Sequence, residues 1–291
     1  MARRHSGGSM KRLGTFAGIA LVLVLTAVVA RTCFSHDLIV RLMDRREIGF
    51  EEMMRDLKGG KVIYVGETHD NPYHHDLQLR IVRELHRAGV PLAIAMEMFT
   101  YESQDELDRW VAGKTDPASF QRIYLKNWNF PWALYGDILL FARDRRIPLV
   151  GLNVPREVTR KVARQGFESL SREERRKLPP SITCDVDAAY MAMIRRSYSD
   201  HDTSAKTFKN FCEAQMLWNK SMAYHLVEYL KNNPGRTVVV ITGSGHAVRG
   251  GMPVQVDREK PGLASRVVLP DPVVQNGSIS VEDADYLWLS H

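Results

Sequence analysis

Residues 62–75 have the sequence VIYVGETHDNPYHH, in which an apolar run is followed by polar and ionisable side chains. The run Val62–Val65 is short, β-branched and apolar at every position, which is typical of a strand buried on both faces in a parallel sheet. Asn71 and Pro72 then mark a helix start, because proline fits the first helical turn. The stretch therefore predicts a strand, a polar loop and a helix, the repeating unit of an α/β fold.

The same unit recurs along the chain. Further strands are predicted at Leu92–Met96, Pro148–Leu152 and Thr237–Ile241, with two shorter ones at Val254–Val256 and Arg266–Leu269. Helices are predicted at about Val40–Leu57, Pro72–Ala88, Tyr101–Val111, Ala133–Arg146, Pro155–Arg164, Asp185–Ser199 and Ser204–Asn232. The predicted fold class is α/β: a mainly parallel sheet covered by helices on both faces. A helical insertion or lid precedes the fourth main strand, and an apolar helix lies at the N-terminus.

Polar side chains follow each of the four main predicted strands. They are Glu67 and His69 after the first strand, Glu97 after the second, Asn153 after the third and His246 after the fourth. The carboxyl ends of parallel strands meet at one edge of the sheet, where α/β proteins bind ligands. Carboxylates and imidazoles together suit general acid–base catalysis or a transition-metal ion. Glu67, His69, Glu97 and His246 are therefore candidate catalytic residues and candidate metal ligands.

Two neighbouring segments contain further candidates. His74 and His75 lie in a first helical turn, so we expect one of them to face the site and the other to face solvent. The stretch from Tyr124 to Tyr135 is rich in aromatic residues and forms either a corner of the core or an apolar wall.

Basic residues are concentrated at the N-terminus. The chain has 40 lysines and arginines against 34 aspartates and glutamates, a formal net charge of +6. Five of the 40 precede Asp37, which leaves 35 against 34 in the remainder and excludes a nucleic-acid-binding function. These five flank an uncharged apolar segment, residues 13–30, which is typical of a signal sequence or a membrane anchor. The positive-inside rule then predicts that the rest of the chain is exported.

The predicted domains are therefore residues 1–36, a signal sequence or membrane anchor, and residues 37–291, the folded domain. The N-terminal segment is compatible with cleavage after Ala30, with lipidation of Cys33 or with retention as an anchor. Each outcome predicts a location in the cell envelope, membrane-anchored or periplasmic.

Cys184 and Cys212 either form a disulfide or are two buried thiols. No CxxCH motif is present, which excludes covalently attached c-type haem.

The ordered series of strand-end motifs resembles the ChaN-like haem-binding uptake family, in a superfamily that also contains erythromycin esterases and Tiki-type metalloproteases. The matching segments are Val65–Asn71, His74-His75, Gln78, Glu97–Phe99, Asn153–Pro155, Met222-Ala223 and Gly243–His246. The resemblance implies an iron-regulated, membrane-associated protein that binds haem noncovalently. In the best-known case a homodimer holds a cofacial pair of haems, and a tyrosine ligates each iron with histidine help from the partner subunit.

On this resemblance Tyr135 is the preferred haem ligand, because it lies beside Trp128 and Trp132, which would cover a porphyrin face. The alternative ligands are Tyr101, Tyr124 and Tyr190. The further haem-binding candidates are His74, His75 and Trp128.

Two functions follow as hypotheses. The first is a haem-binding protein of the cell envelope, in haem or iron uptake or handling, with haem, the membrane and a second copy of the chain as partners. The second is a metal-dependent peptidase or esterase, in which Glu67, His69, Glu97 and His246 hold a divalent transition metal or activate water.

Overall fold

The computed structural model describes residues 38–176, 178, 179, 182–200, 206–270 and 279–289. Within these residues the central element is an eight-stranded sheet with the strand order β2-β1-β8-β7-β3-β6-β4-β5. The strands are β1 (Leu38–Arg41), β2 (Arg46–Ile48), β3 (Val62–Glu67), β4 (Leu92–Thr100), β5 (Leu149–Asn153), β6 (Thr237–Gly243), β7 (Ser265–Pro270) and β8 (Tyr286–Leu289).

The sheet is mainly parallel, as predicted. Strands β8, β7, β3, β6, β4 and β5 form a continuous parallel block, and β1 pairs antiparallel with both β8 and β2. The carboxyl ends of β3, β6, β4 and β5 therefore lie side by side at one edge.

Helices cover both faces of the sheet, which confirms the predicted fold class. They are α1 (Phe50–Leu57), α2 (Pro72–Arg87), α3 (Gln104–Val111), α4 (Pro117–Asn127), α5 (Trp132–Asp144), α6 (Arg156–Gln165), α7 (Arg172–Arg176), α8 (Ala188–Asp200), α9 (Phe208–Asn232), α10 (Ser244–Ala247) and α11 (Met252–Glu259). Helices α6–α9 form the predicted insertion between β5 and β6.

Strand β3 shows how the two faces are built. Its side chains alternate, so that Ile63 and Val65 pack into the core formed with α1–α5. Val62 and Tyr64 pack into the opposite core, which includes residues of α6, α8, α9 and α11. Each of these four residues is fully buried, which explains why the strand is apolar at every position.

The helix predicted at Val40–Leu57 is wrong in its first half. The chain forms the hairpin β1–β2 there, and α1 begins only at Phe50, after Gly49. Strand β1 is held by antiparallel pairing with β8, at the opposite end of the chain. This long-range pairing overrides local helical periodicity.

The strand predicted at Val254–Val256 is also wrong, because these residues lie in α11. Pro253 occupies the first turn of this helix, where proline is favoured. Met252 and Val256 are four residues apart and buried on one face in the same core as α9. Two valines in so short a segment are compatible with either structure.

The predicted signal sequence or anchor, residues 1–36, lies outside the described residues, as does Cys33. In the part of the chain that the structure describes, none of the helices has the length and apolar character needed to cross a bilayer.

Cys184 and Cys212 form a disulfide with their Cα atoms 5.7 Å apart. It joins the segment that precedes α8 to the first turns of α9.

Candidate functional site

The strand-end residues surround one cavity of about 550 Å³ at the carboxyl edge of the sheet. Glu67, His69, Glu97, Asn153 and His246 all line it, so the structure brings together the set predicted from strand ends. Aromatic side chains from the end of α4 and from α9 also line it: Trp128, Phe211 and Trp218.

Glu67 accepts hydrogen bonds on both oxygens from a cluster of donors: Tyr135, His69, His75 and Gln78. Its Oε1 accepts from the Tyr135 hydroxyl at 2.5 Å and from His69 Nδ1 at 2.7 Å. Its Oε2 accepts from Gln78 Nε2 at 2.9 Å and lies 3.1 Å from His75 Nδ1. Because Glu67 is only 3% exposed, these bonds replace the water that a carboxylate would otherwise need.

The Glu67 cluster shifts the pKa of its members in opposite directions. Burial raises the pKa of Glu67, but hydrogen bonds and charge from His69 and His75 outweigh it and lower that pKa to about 2. Burial lowers the pKa of His69 and His75, but the bond to Glu67 leaves both pKa values above the ordinary value. The cluster therefore favours an ionised Glu67 beside imidazoles that bind protons readily.

Glu97 is anchored at one of its two oxygens. Its Oε2 accepts from the Thr242 hydroxyl at 2.6 Å and from the Gly243 amide at 2.8 Å. A Cβ on Gly243 would lie 2.9 Å from His69 Cε1 and 3.3 Å from His69 Nε2. Glycine at this position therefore lets the His69 ring pass close to β6.

His246 lies at the start of the segment after β6, with its side chain 12% exposed. Its Nδ1 is 2.8 Å from Asn219 Oδ1, and its Nε2 is 3.8 Å from Glu97 Oε1. Burial lowers the pKa of His246, the charge of Glu97 raises it and that of His69 lowers it again, leaving it below the ordinary value.

Both histidines at the start of α2 are buried, so the expectation that one of them faces solvent is wrong. His74 is fully buried and holds the loop, since the Thr68 amide donates to its Nδ1 and Asn71 Nδ2 lies 3.0 Å from its Nε2. His75 is 3% exposed and joins the Glu67 cluster. Hydrogen bonds with the loop and the Trp288 ring of β8 cover these two histidines on the side that the helical period predicts to face solvent.

The aromatic stretch contributes to both the core and the cavity. Tyr124 and Tyr135 are fully buried, whereas Trp128 is partly exposed and lines the cavity. The Tyr135 hydroxyl donates to Glu67, so it would have to leave that carboxylate before it could bind an iron. Its role as haem ligand stays a prediction.

The alternative tyrosines differ in access. The Tyr124 hydroxyl donates to the Phe130 carbonyl, and the Tyr190 hydroxyl donates to the Gly245 carbonyl. Tyr101 is partly exposed and stacks on His225, with ring centroids 4.4 Å apart.

No group of three or more His, Cys, Asp or Glu side chains is positioned to hold a metal ion among the residues described. Glu67 uses both oxygens, and Glu97 one, to accept hydrogen bonds from protein donors. Asn153 likewise donates its amide to the Glu97 carbonyl. The four predicted metal ligands lie close together but are not arranged as a preformed metal site.

Two residues of the site were not found from the sequence: Asn219, which binds His246, and Arg156, which brings a positive charge to the cavity. Tyr190, an alternative haem ligand on the resemblance, binds Asn219. In α9, Asn219 stands at helical spacing between the apolar Met216 and Ala223, and this interruption is the signal that could have pointed to it.

The sequence model of a family described as haem-binding uptake, Tiki superfamily, ChaN, matches residues 53–256, more than two thirds of the chain. The chain belongs to the ChaN family. The resemblance carried by the strand-end motifs is thereby confirmed. No curated protein sequence matches the chain.

Solved structures that resemble this one share little sequence identity with the chain. ChaN of Campylobacter jejuni, whose structure shows cofacial haem binding, superposes with a TM-score of 0.69 at 19% identity, over 87% of this chain and 96% of that one. The type III effector HopBA1 superposes with a TM-score of 0.50 at 10% identity, over 82% of this chain and 91% of that one. An erythromycin esterase, EreC, has a TM-score of 0.48 at 12% identity, over 81% of this chain and 76% of that one.

Proposed function

We propose that this ChaN-family chain binds haem noncovalently at the strand-end cavity. The observation that carries the proposal is the family match over residues 53–256, together with the cavity at the centre of the matched motifs. Its volume, about 550 Å³, is in the range of small-molecule sites. Trp128, Phe211 and Trp218 offer flat apolar surfaces for a porphyrin, and Arg156 offers a cation for a propionate.

His69 is the residue best placed to hold the iron. Its Nδ1 is bonded to Glu67, which leaves Nε2 as the ring nitrogen for a ligand, and its side chain is 29% exposed. A histidine that binds a metal usually has its other nitrogen bonded to a carboxylate or carbonyl. The iron of a bound haem supplies ligand exchange and one-electron redox chemistry. Tyr135 is the competing ligand, available once its hydroxyl leaves Glu67.

Hemin titration of the chain that starts at Asp37, which contains every described element, tests this proposal. We expect a saturable Soret shift that His69→Ala weakens at least about tenfold and that Tyr135→Phe leaves unchanged. His86→Ala is the matched control, because His86 packs against Phe141 and does not line the cavity. If Tyr135→Phe abolishes the shift and His69→Ala does not, the ligand is Tyr135. If neither variant differs from wild type, haem does not bind through this cluster.

We further propose that the protein acts in the cell envelope, in haem or iron uptake or handling. The support is the basic and apolar N-terminal segment, with its positive-inside pattern. Fusing alkaline phosphatase, which is active only after export, behind residues 1–36 tests this location. We expect activity with this segment and none when its apolar core is deleted; activity that does not depend on the segment contradicts the proposal.

A homodimer is proposed from the cofacial haem pair of the Campylobacter jejuni ChaN. Sedimentation velocity with and without hemin tests it. We expect the sedimentation coefficient to rise when hemin binds or to be that of a dimer throughout; a monomer in both states contradicts it.

A second candidate function is hydrolysis of esters or peptides in the same cavity. The observation in its favour is the Glu67–His69 hydrogen bond of 2.7 Å, the arrangement of a general base oriented by a carboxylate. Assays of ester and peptide substrates with and without Mn²⁺, Co²⁺ or Zn²⁺ test it. Turnover that His69→Ala abolishes supports a hydrolase, and its metal dependence distinguishes a metal-dependent from a metal-free enzyme. No turnover under either condition contradicts it.

A further inference from the structure

We infer that His246 presents a bare ring nitrogen to the cavity, and that Asn219 and Tyr190 are the positioning residues that hold it in this state. The inference goes beyond haem binding, because it concerns which ring nitrogen of His246 carries the proton. This assignment does not depend on the ligand that the cavity binds. We call His246 Nε2 and Glu97 Oε1 the floor of the cavity. The inference assigns to this floor a preference for ligand groups that donate hydrogen bonds.

Hydrogen bonds link Gly245, Tyr190, Asn219 and His246 in series. Their directions follow from the Gly245 carbonyl, which can only accept. The Tyr190 oxygen lies 3.1 Å from the Gly245 carbonyl and 2.7 Å from the Asn219 amide group. A carbonyl only accepts, so the Tyr190 hydroxyl hydrogen must go to Gly245. The tyrosine oxygen must then accept, and the Asn219 group that faces it must be the NH₂.

This assignment turns the Asn219 oxygen toward His246. Oδ1 lies 2.8 Å from His246 Nδ1, and an amide oxygen only accepts, so Nδ1 must carry a proton. With the opposite Asn219 orientation, the Tyr190 hydroxyl would face two acceptors with one hydrogen. One close oxygen pair would then repel in a buried site, because Asn219 is fully buried.

The second ring nitrogen, Nε2, therefore has its lone pair free in the neutral ring. It faces Glu97 Oε1 at 3.8 Å, too far for a hydrogen bond. The other oxygen of Glu97 accepts from Thr242 and Gly243, which fixes the carboxylate so that Oε1 is the one directed at His246. Two acceptors thus stand side by side at the cavity floor, near the ring of His69.

A pair of acceptors attracts a group that has protons to share. A hydroxyl, a protonated amine or a water molecule can donate to Nε2 and Oε1 together, whereas a carboxylate or phosphate would be repelled. Arg156, on α6, also lines the cavity and carries a positive charge. The cavity therefore offers a donor-binding floor, and a cation for the anionic part of a ligand.

The tautomer can be measured directly by ¹⁵N NMR of the histidine rings, with assignment by His246→Gln. In the wild-type protein we expect a protonated, pyrrole-like signal from Nδ1 of His246 and a pyridine-like signal from Nε2. Asn219→Leu and Tyr190→Phe should mix the two tautomers. His75 is the internal reference, since it binds Glu67 and contacts neither Asn219 nor Tyr190.

A protonated Nε2 in wild-type protein overturns the inference, as does an Asn219→Leu protein that folds with the tautomer unchanged. If Asn219→Leu fails to fold, Tyr190→Phe, which removes a single oxygen, gives the same test. Methylammonium and acetate are the ligand probes. We expect methylammonium to move the Nε2 signal and acetate to leave it unchanged; a response to acetate, or to neither ion, contradicts a donor-binding floor. Hemin titration is not involved, so this inference and the haem proposal can fail separately.

Discussion

At the scale of single residues, Glu67 is the side chain on which the site depends most. It is buried, ionised and bonded to Tyr135, His69, His75 and Gln78, so one carboxylate ties β3 to α2 and α5. We expect Glu67→Gln to lower the free energy of unfolding by roughly 3 kcal/mol, because it removes the charge that two imidazoles pair with. Urea denaturation measures this change. Glu47→Gln, at an exposed position of β2, is the control; equal losses from both variants would refute the assignment.

The pH dependence of stability tests the same cluster. Glu67 has its pKa lowered from 4.5 to about 2, so its contribution is present above pH 4.5 and is lost as the pH falls toward 2. His69 and His75 have raised pKa values, so their contributions are present below pH 6.5 and are lost as the pH rises through their folded-state values. We expect unfolding measurements to give a steeper acid limb for wild type than for Glu67→Gln. Parallel acid limbs would contradict it.

Two neighbouring glycines, Gly243 at the end of β6 and Gly245 in α10, offer a matched pair of substitutions. A methyl group on Gly243 would press on the His69 ring, whereas a methyl group on Gly245 would meet nothing within 4 Å. Neither glycine has a positive φ, so alanine adds no backbone strain at either position. We expect Gly243→Ala to weaken hemin binding roughly tenfold by displacing His69, and Gly245→Ala to have no effect. Equal Soret titrations for both variants would show that the position of His69 does not matter for haem.

At the scale of secondary-structure elements, the Cys184–Cys212 disulfide fastens the insertion. It links the segment before α8 to α9, and α8 carries Tyr190, which reaches the Gly245 carbonyl. Reduction should cost about 2–4 kcal/mol of stability and increase hydrogen exchange in α8, with little change in β3 and β4. Hydrogen-exchange mass spectrometry with and without a dithiol reductant measures this. Cys184→Ser should already show the faster exchange and gain nothing from reductant; unchanged exchange in α8 after reduction would contradict the role.

The elements that the sequence predicts well are those with a strong local pattern. Strands β3, β4 and β6 each contain a continuous apolar run, and the helix that begins at Pro72 has a proline in its first turn and Asn71 as its cap. The segment before α1 was misread because β1 is stabilised by β8, which is more than 200 residues away. The sequence does not predict β8, and it does not predict α11 as a helix, because two valines do not distinguish a short strand from a helix.

The sequence predicts those parts of the site whose position follows from the sheet topology alone. The ends of four parallel strands must meet, and this alone brought Glu67, Glu97 and His246 together. The sequence could not show which nitrogen or oxygen each side chain uses, because that depends on partners such as Asn219 and Tyr135 on distant helices. The four predicted metal ligands do not form a preformed metal site, for the same reason. Hydrogen bonds from protein donors occupy three of the four carboxylate oxygens of Glu67 and Glu97.

At the scale of the whole molecule, the family match and the cavity lining indicate the same ligand-binding region. The matched residues 53–256 include all four strand ends, the insertion helices and both walls of the cavity. Polar side chains from β3, β4 and α10 line it together with the aromatic residues Trp128, Phe211 and Trp218. Apolar and aromatic surface with a few placed polar groups is typical of a small-molecule site.

The central claim is that this cavity binds haem, and the most direct measurement is a hemin titration of the wild-type chain followed at the Soret band. We predict a shift that saturates at a fixed ratio of hemin to protein and that His69→Ala weakens while His86→Ala does not. A Soret band that stays at the position of free hemin, or a response that rises without saturation, would contradict the account.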